Sequence, residues 1–83
     1  SASPKVTNRQ IGTYFGSVGA GSLAEKYLKK AINEDKDNAA KVVLGQVYAW
    51  LGKKAEAIKI LQEAVNSKVN GAAEVLKQVQ AMK

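Results

Sequence analysis

Seven residue positions recur in this chain at a constant offset of 33 residues, each time with the same or a similar residue type. The first set comprises Ile11, Gly12, Phe15, Gly19, Ala24, Leu28 and Ala31. The second set comprises Leu44, Gly45, Tyr48, Gly52, Ala57, Leu61 and Ala64. Repeats of about this length are typical of stacked helical hairpins, because one hairpin cannot bury its apolar face alone. The repeat therefore predicts an all-α protein, a short solenoid of helical hairpins.

The spacing of apolar residues predicts five helices. They are expected at residues 4 or 5 to 18, 22 to 34, 38 to 50 or 51, 54 to 66 and 72 to 82. No segment alternates apolar and polar residues with the period of two that is typical of strands. The 83 residues fit a single domain, with repeat 1 at about residues 5–37, repeat 2 at 38–71 and a capping helix at 72–83.

Polar residues ahead of the helices predict where these helices begin. Ser3–Pro4 has the pattern of an N-cap followed by a proline at the first helical position. Ser22 and Glu25 have the spacing of a capping box for the second helix. Asp37 and Asn70 are the expected caps of the third and fifth helices.

Glycines at repeated positions predict both close helix packing and sharp helix ends. Gly12 and Gly45 let the two antiparallel helices of a hairpin approach at the short end of the usual ~8–10 Å range of interaxial distances. Gly19 and Gly52 are expected to end the first helix of each hairpin in the left-handed conformation that glycine adopts readily. Packing thus accounts for the small residues of the repeat.

The repeated residues resemble the tetratricopeptide repeat (TPR), a helix–turn–helix motif of about 34 residues. The resemblance covers about residues 5 to 71 as two consecutive repeats, and the fifth helix is similar to the family's terminal capping helix. An aromatic residue expected near each repeat's start is replaced by Asn8 and Lys41. The closing proline is replaced by Lys36 and Val69. The resemblance implies a right-handed α-solenoid of five helices.

In such proteins the first helix of each pair lines a concave groove that holds peptides or helices of other proteins. The matching positions here are Val6, Arg9, Gln10, Thr13, Ser17, Ala39, Val42, Val43, Gln46, Ala49 and Trp50. All of these except Val6, Ala39 and Ala49 are predicted to bind a partner. Some family members clamp a C-terminal carboxylate with lysines and asparagines on this surface, whereas Arg9 is the only cation among these positions. Small and apolar residues predominate, which favours an apolar or amphipathic helix as the ligand.

Two aromatic residues, Trp50 and Tyr14, lie outside the repeated positions, and each could belong to the core or to a binding surface. Trp50, the only tryptophan, is either an anchor for a partner, since tryptophan is over-represented among binding hot spots, or a structural residue that packs against the fifth helix or fills the end of the third helix. Tyr14 lies one position from the repeated Phe15 and is expected to be partly buried in the core.

The composition argues against catalysis and against a metal site. The chain contains neither cysteine nor histidine, so it lacks the commonest general base, thiol nucleophile and metal ligands. Glu34, Asp35 and Asp37 lack the spacing and the glycine of a calcium loop. The segment 19–24 has the letters of a dinucleotide-binding loop, but a helix precedes it instead of the required strand. We therefore predict a protein that is not an enzyme and binds no cofactor.

The net charge of +6 arises from 13 basic and 7 acidic residues, and all the basic residues except Arg9 are lysines. Lysines on second helices are expected to form a solvated convex face, because nucleic-acid recognition relies more on arginine and aromatic side chains. The function predicted from the sequence is a protein–protein interaction module, an adaptor, scaffold or assembly factor. The alternatives are self-assembly into homo-oligomers through the repeat ends and, as a weaker one, electrostatic binding to nucleic acid or an anionic membrane.

No apolar run has the length of a transmembrane helix, so a soluble domain is expected. The chain begins at Ser1 without an initiator methionine, and we interpret it as a fragment or a processed chain. Because an absence of cysteine is compatible with the cytosol and with oxidising compartments alike, the sequence favours no cellular location.

Overall fold

The computed structural model describes residues 5–82, which form five α-helices. Their bounds are α1 (Asn8–Ser17), α2 (Gly21–Asn33), α3 (Ala39–Trp50), α4 (Lys54–Asn66) and α5 (Ala72–Ala81). No β-strand occurs within this range. The prediction of an all-α protein with five helices is confirmed, and the ends of α2 to α5 lie within one residue of their expected positions.

Helix α1 begins later than predicted, at Asn8, so the expected start at residue 4 or 5 is wrong. Thr7 is the N-cap, in an extended backbone conformation. Its Oγ1 accepts a hydrogen bond from the Gln10 backbone N–H at 3.1 Å, and the Gln10 Oε1 accepts one from the Thr7 N–H at 2.8 Å. This reciprocal capping box satisfies two donors that a helix start leaves free. The predicted cap Ser3–Pro4 lies outside the described residues.

The three predicted side-chain caps that fall within the described residues are wrong. The residues at these N-cap positions are Ala20, Asn38 and Gly71, and none makes a side-chain cap hydrogen bond. Glu25 and Asp37 instead bind side chains of other helices. Gly71 adopts the left-handed conformation, with φ of +80°, and takes the place expected for Asn70. Contacts with other helices thus engage two of the predicted capping carboxylates, and a glycine turn replaces the third cap.

The turns that end α1 and α3 are alike. Gly19 and Gly52 have φ of +82° and +80°, which confirms the prediction of left-handed helix ends. The next N–H after each glycine bonds back to the carbonyl of Phe15 or Tyr48, at 2.8 Å in both turns. This is the Schellman motif, in which glycine avoids the steric cost of a left-handed residue.

The repeated glycine–leucine pairs set the distance between the helices of each hairpin. A Cβ atom on Gly12 would lie 2.6 Å from Cγ of Leu28, and one on Gly45 would lie 2.5 Å from Cγ of Leu61. Both leucines are fully buried. Leucine thus fills the space that each glycine leaves, as the repeated pattern predicts.

Each helix runs antiparallel to the next. This orientation follows from contacts that join the start of one helix to the end of its neighbour. These contacts are Asn8 with Asp35, Gly21 with Leu51, Lys41 with Glu63 and Lys54 with the carbonyl of Met82. Consequently α1 and α3 run in the same direction, and they lie side by side, with Gly16 against Val47 and Gly19 against Trp50.

The core runs between the helices and consists of alanine and leucine with a few larger side chains. The buried hydrophobic residues of the described chain are Ala24, Leu28, Ala31, Ala40, Leu44, Val47, Tyr48, Ala57, Leu61, Ala64, Ala72, Leu76 and Val79. Helix α5 contributes the last three of these and covers α4, while its Glu74, Lys77 and Gln78 are exposed. Tyr14 does not belong to this core, since 61% of it is exposed, so its predicted burial is wrong.

Candidate binding groove between α1 and α3

A groove runs between α1 and α3, and it contains a cavity of about 270 Å³. The residues that line the cavity are Thr13, Gly16, Ser17, Val43, Gln46, Val47 and Trp50. None of them carries a charge. Five of them, all except Gly16 and Val47, are among the eight residues predicted to bind a partner.

Gly16 and Val47 form the bottom of the groove, and the sequence analysis missed both. A Cβ atom on Gly16 would lie 3.3 Å from Cγ2 of Val47, so the missing side chain lets α1 and α3 approach and leaves open space above. Val47 is only 6% exposed. A signal for Gly16 does exist in the sequence, because the residue 33 positions later is another small one, Ala49.

Trp50 stands at one end of the groove with 59% of its surface exposed. Its Cη2 lies 3.6 Å from the position of a Cβ on Gly19, so the ring reaches from the end of α3 to the end of α1. Trp50 is thus not a core residue, and the alternative in which it is buried by packing is wrong. The exposed indole is available for contact with another molecule.

The hydroxyl groups in the groove are already engaged by the backbone of α1. Thr13 Oγ1 donates to the carbonyl of Arg9 at 2.7 Å, and Ser17 Oγ donates to the carbonyl of Tyr14 at 2.7 Å. Because each hydroxyl has only one hydrogen to donate, both present an acceptor and methyl or methylene groups to the cavity. The side-chain donors that the lining can offer are therefore the exposed amide of Gln46 and the indole N–H of Trp50.

The other three predicted residues lie elsewhere. Arg9 Nε pairs with Asp37 Oδ2 at 3.1 Å and thereby joins α1 to the loop before α3. Gln10 caps α1 through its side chain. Val42 is half-buried and packs against the core cluster. The structure therefore assembles part of the predicted set and gives the remainder structural contacts.

A polar cluster around Glu25 fixes the second hairpin against the first and so holds the two walls of the groove in place. Glu25 Oε2 accepts a hydrogen bond from the Tyr48 hydroxyl at 3.0 Å and pairs with Lys29 Nζ at 2.8 Å. Lys53 Nζ lies 3.8 Å from Oε1 of the same carboxylate. Glu25 thus combines an i,i+4 pair within α2 with two contacts to the second hairpin.

The hydrogen bond from Lys29 lowers the pKa of Glu25 below its ordinary value of 4.5. Partial burial acts in the opposite direction, and the Tyr48 hydroxyl and Lys53 add to the lowering. Burial, followed by the bond to Glu25, raises the pKa of Tyr48. Near neutral pH the cluster therefore contains a charged carboxylate, two ammonium groups and a neutral phenol.

A second cavity of about 240 Å³ lies beside α4 and is lined by Tyr48, Glu56, Lys59, Ile60 and Glu63. The residues that line it carry both positive and negative charges.

Within residues 5–82 there is no group of three or more acidic, histidine or cysteine side chains placed to hold a metal ion. None of the described helices is long and apolar enough to cross a membrane. Comparison of the chain with family models, curated proteins and solved structures finds no match.

Proposed function

We propose that this chain is a non-catalytic protein-binding module, built as a short right-handed α-solenoid of two TPR-like hairpins with α5 as a cap. Three observations support the proposed architecture. Seven positions recur at one offset with the same or a similar residue type. The turns after α1 and α3 have the same hydrogen bonds. Each helix packs against the next in the chain. Solenoids of this kind commonly use an extended concave surface for binding.

The proposed ligand is an apolar or amphipathic helix of another protein, which docks along the groove between α1 and α3. The observation that carries this proposal is the exposed Trp50 beside an uncharged cavity. A large aromatic side chain kept in solvent at the edge of an apolar pocket has the features of a binding hot spot. With more than half of its surface in solvent, the indole gains only part of the burial energy that a core tryptophan would give the free protein.

The size of the cavity indicates what it holds. Pockets for drug-sized ligands usually measure about 300–1,000 Å³, and the cavity here is somewhat smaller, at about 270 Å³. It suits one large apolar side chain of a docked helix better than a free metabolite. The Gln46 amide is placed to bond a polar group next to that anchor, so we assign it the role of orienting the helix.

The uncharged lining also determines which kind of ligand helix the groove can bind. Arg9 is engaged with Asp37, and therefore the groove presents no free cation for a C-terminal carboxylate. A charged residue placed in this cavity would lose hydration without gaining a counter-charge. We therefore expect ligands with an apolar stripe at helical spacing and with their charges on the opposite face.

A display selection of helical peptides against the purified protein tests the proposal. The matched counter-selection uses Ser17→Arg, which places a long charged side chain over the cavity from an exposed position. We expect the peptides that are retained by the unmodified protein and lost on Ser17→Arg to share apolar residues at i, i+3 or i+4 spacing. Enrichment of the same peptides on both proteins, or of peptides without an apolar stripe, would show that the groove is not the binding site.

A further inference from the structure

The contact between the two hairpins is made largely by one face of α3. Val47 packs against Gly16, and Leu51 Cδ2 lies 2.7 Å from the position of a Cβ on Gly21. Tyr48 donates its hydroxyl to Glu25. This interface thus sets large apolar side chains of α3 and its C-cap Leu51 against small residues of the first hairpin. Glu25 is the polar link, since it is bound by Tyr48 and by Lys53.

The first hairpin carries the equivalent face, against which no further hairpin packs within residues 5–82. The residues 33 positions earlier than Val47, Tyr48 and Leu51 are Tyr14, Phe15 and Val18, and all of them are again apolar or aromatic. Tyr14 is 61% and Val18 57% exposed. At 100° per residue these side chains project from the side of α1 opposite to Gly16 and Thr13, which face α3.

Aromatic side chains organise this surface, which we call the outer face and define as Ile11, Tyr14, Phe15, Val18 and Tyr27. The ring of Phe15 stacks on that of Tyr27 with centroids 5.7 Å apart, and Tyr14 meets the edge of Phe15 at 5.7 Å. Tyr14 and Val18 are exposed, whereas Ile11, Phe15 and Tyr27 are partly buried. Exposed large apolar side chains beside partly buried aromatic rings are typical of an interaction site.

Positive charge at the edge of the outer face favours a partner that carries carboxylates there. Lys26 Nζ and Lys30 Nζ lie 5.7 Å and 5.5 Å from the centroid of the Tyr27 ring. Neither lysine takes part in an ion pair among residues 5–82. In addition, Phe15 and Ala20 stand where the second hairpin has the hydrogen-bonding Tyr48 and Lys53. At Phe15 and Ala20 the outer face therefore lacks the hydroxyl and the ammonium group that bind a carboxylate in the second hairpin, while the lysines at its rim attract one.

We propose that the outer face docks a helical hairpin of a partner protein, with small uncharged residues against Tyr14, Phe15 and Val18 and with carboxylates opposite Lys26 and Lys30. A second copy of this chain fits less well. Its own small residues at the required positions, Gly21 and Ala24, are covered by α3, and two copies meeting face to face would bring their lysines together. This surface is separate from the groove, and the proposal does not depend on the proposed function.

A second copy of the first hairpin can stand in for the partner in a test, because this hairpin presents small residues of the required kind. The test protein carries residues 5–37 once more ahead of Lys5, so that the 33-residue register continues. We expect additional helical signal by circular dichroism, one cooperative urea transition and a larger m-value, since m scales with the surface exposed on unfolding. Tyr14→Lys in the inner copy should remove this coupling. An added hairpin that stays unfolded, or a midpoint insensitive to Tyr14→Lys, would overturn the proposal.

Glu25→Ala in this test protein gives a sharper result, because the size of its effect depends on the copy that carries it. In the inner copy it removes the partner of Tyr48, Lys53 and Lys29, and the urea midpoint should fall. In the outer copy Glu25 would still pair with Lys29 of its own helix but would face Phe15 and Ala20, so its removal should lower the midpoint much less. An equal fall in both cases would contradict the proposed chemistry of the outer face.

Sedimentation velocity of the unmodified chain over a range of concentrations tests whether a second copy of the chain covers the outer face instead. We expect a monomer at all concentrations. A dimer that disappears with Tyr14→Lys would show that a second copy covers the outer face, and the proposal of a partner hairpin would then be wrong.

Discussion

The Tyr48 hydroxyl donates a hydrogen bond to Glu25 Oε2 at 3.0 Å and so links α3 to α2. The two residues lie 23 positions apart in the sequence, and each belongs to a different hairpin. The bond is partly buried, and Lys29 compensates the charge of the carboxylate at 2.8 Å. Because the groove lies between α1 and α3, any loosening of this link alters the distance between its walls.

Tyr48→Phe is expected to destabilise the protein by about 1 kcal/mol, since it leaves a partly buried carboxylate with one hydrogen bond fewer. Glu25→Gln should have an effect of similar size, because it removes the charge from the pairs with Lys29 and Lys53. Urea denaturation of both single variants and of the double variant measures this. Strictly additive effects would show that the two side chains are not energetically coupled.

The same cluster predicts a pH dependence of the free energy of unfolding. The pKa of Glu25 is lowered in the folded protein below 4.5, so its contribution to stability is complete above that value and is lost as the pH falls through the lower, folded pKa. The stability difference between the unmodified protein and Glu25→Gln should therefore shrink between about pH 6 and about pH 3. Urea titrations at several pH values measure it, and a difference that stays constant or grows on acidification would contradict the prediction.

Gly45→Ala tests the close approach of α3 and α4. The new Cβ would lie 2.5 Å from Cγ of Leu61, and overpacking of this kind costs about 1–3 kcal/mol, against a gain of up to about 1 kcal/mol from helix propensity. A net loss of stability is expected. Combined with Leu61→Ala, the substitution should cost less than the two single effects together.

Gly16→Ala is the matched control for this experiment. Its nearest neighbour, Val47 Cγ2, would lie 3.3 Å away and the next, Ala24 Cβ, 3.9 Å away. Helix propensity and mild crowding then nearly cancel, and we expect a change within about 1 kcal/mol of zero. If thermal or urea unfolding ranks the two alanine variants in the opposite order, close packing does not explain the repeated glycine.

Several features of the fold could be predicted from the sequence because they depend on residues near one another in the chain or on the repeat. Gly19 and Gly52 end their helices through local hydrogen bonds, and the pairing of Gly12 with Leu28 recurs 33 residues later as Gly45 with Leu61. Two copies of one pattern provide two tests of the same interpretation, which is why these predictions held.

Several of the wrong predictions concern side chains whose surroundings are set by residues far away in the sequence. Asp37 has the residue type of a helix cap, yet its carboxylate binds Arg9, and no local rule specifies such a partner. For Tyr14, the position next to the repeated Phe15 predicts partial burial in the core. Its counterpart Val47 is indeed buried, but only because a hairpin precedes it. Burial at this position thus depends on a neighbouring hairpin and not on the residue itself.

The groove was predicted in outline but not in detail. The expected set of residues included Thr13, Ser17 and Trp50, which line the cavity, because helical period and repeat register place them on one side of α1 and α3. Missing from it were Gly16 and Val47, since the floor of a groove is defined by the approach of two helices and not by the period of either one.

Trp50→Ala is expected to change the stability of the free protein by less than about 1 kcal/mol, as substitutions of exposed residues usually do. Circular dichroism and urea denaturation measure it. A loss of several kcal/mol or a loss of helicity would mean that Trp50 supports the fold, and the indole would no longer be available as an anchor.

The most direct test compares the affinity of a groove-selected helical peptide for the unmodified protein, Trp50→Ala and Met82→Ala by isothermal titration calorimetry. Met82 is an apolar control with 45% exposure. It follows α5 and is not among the residues that line the cavity. Trp50→Ala should weaken binding by about tenfold or more, as expected for a hot-spot residue, and Met82→Ala should leave it unchanged. Equal affinities of all three proteins would contradict the assignment of the groove between α1 and α3 as the binding site.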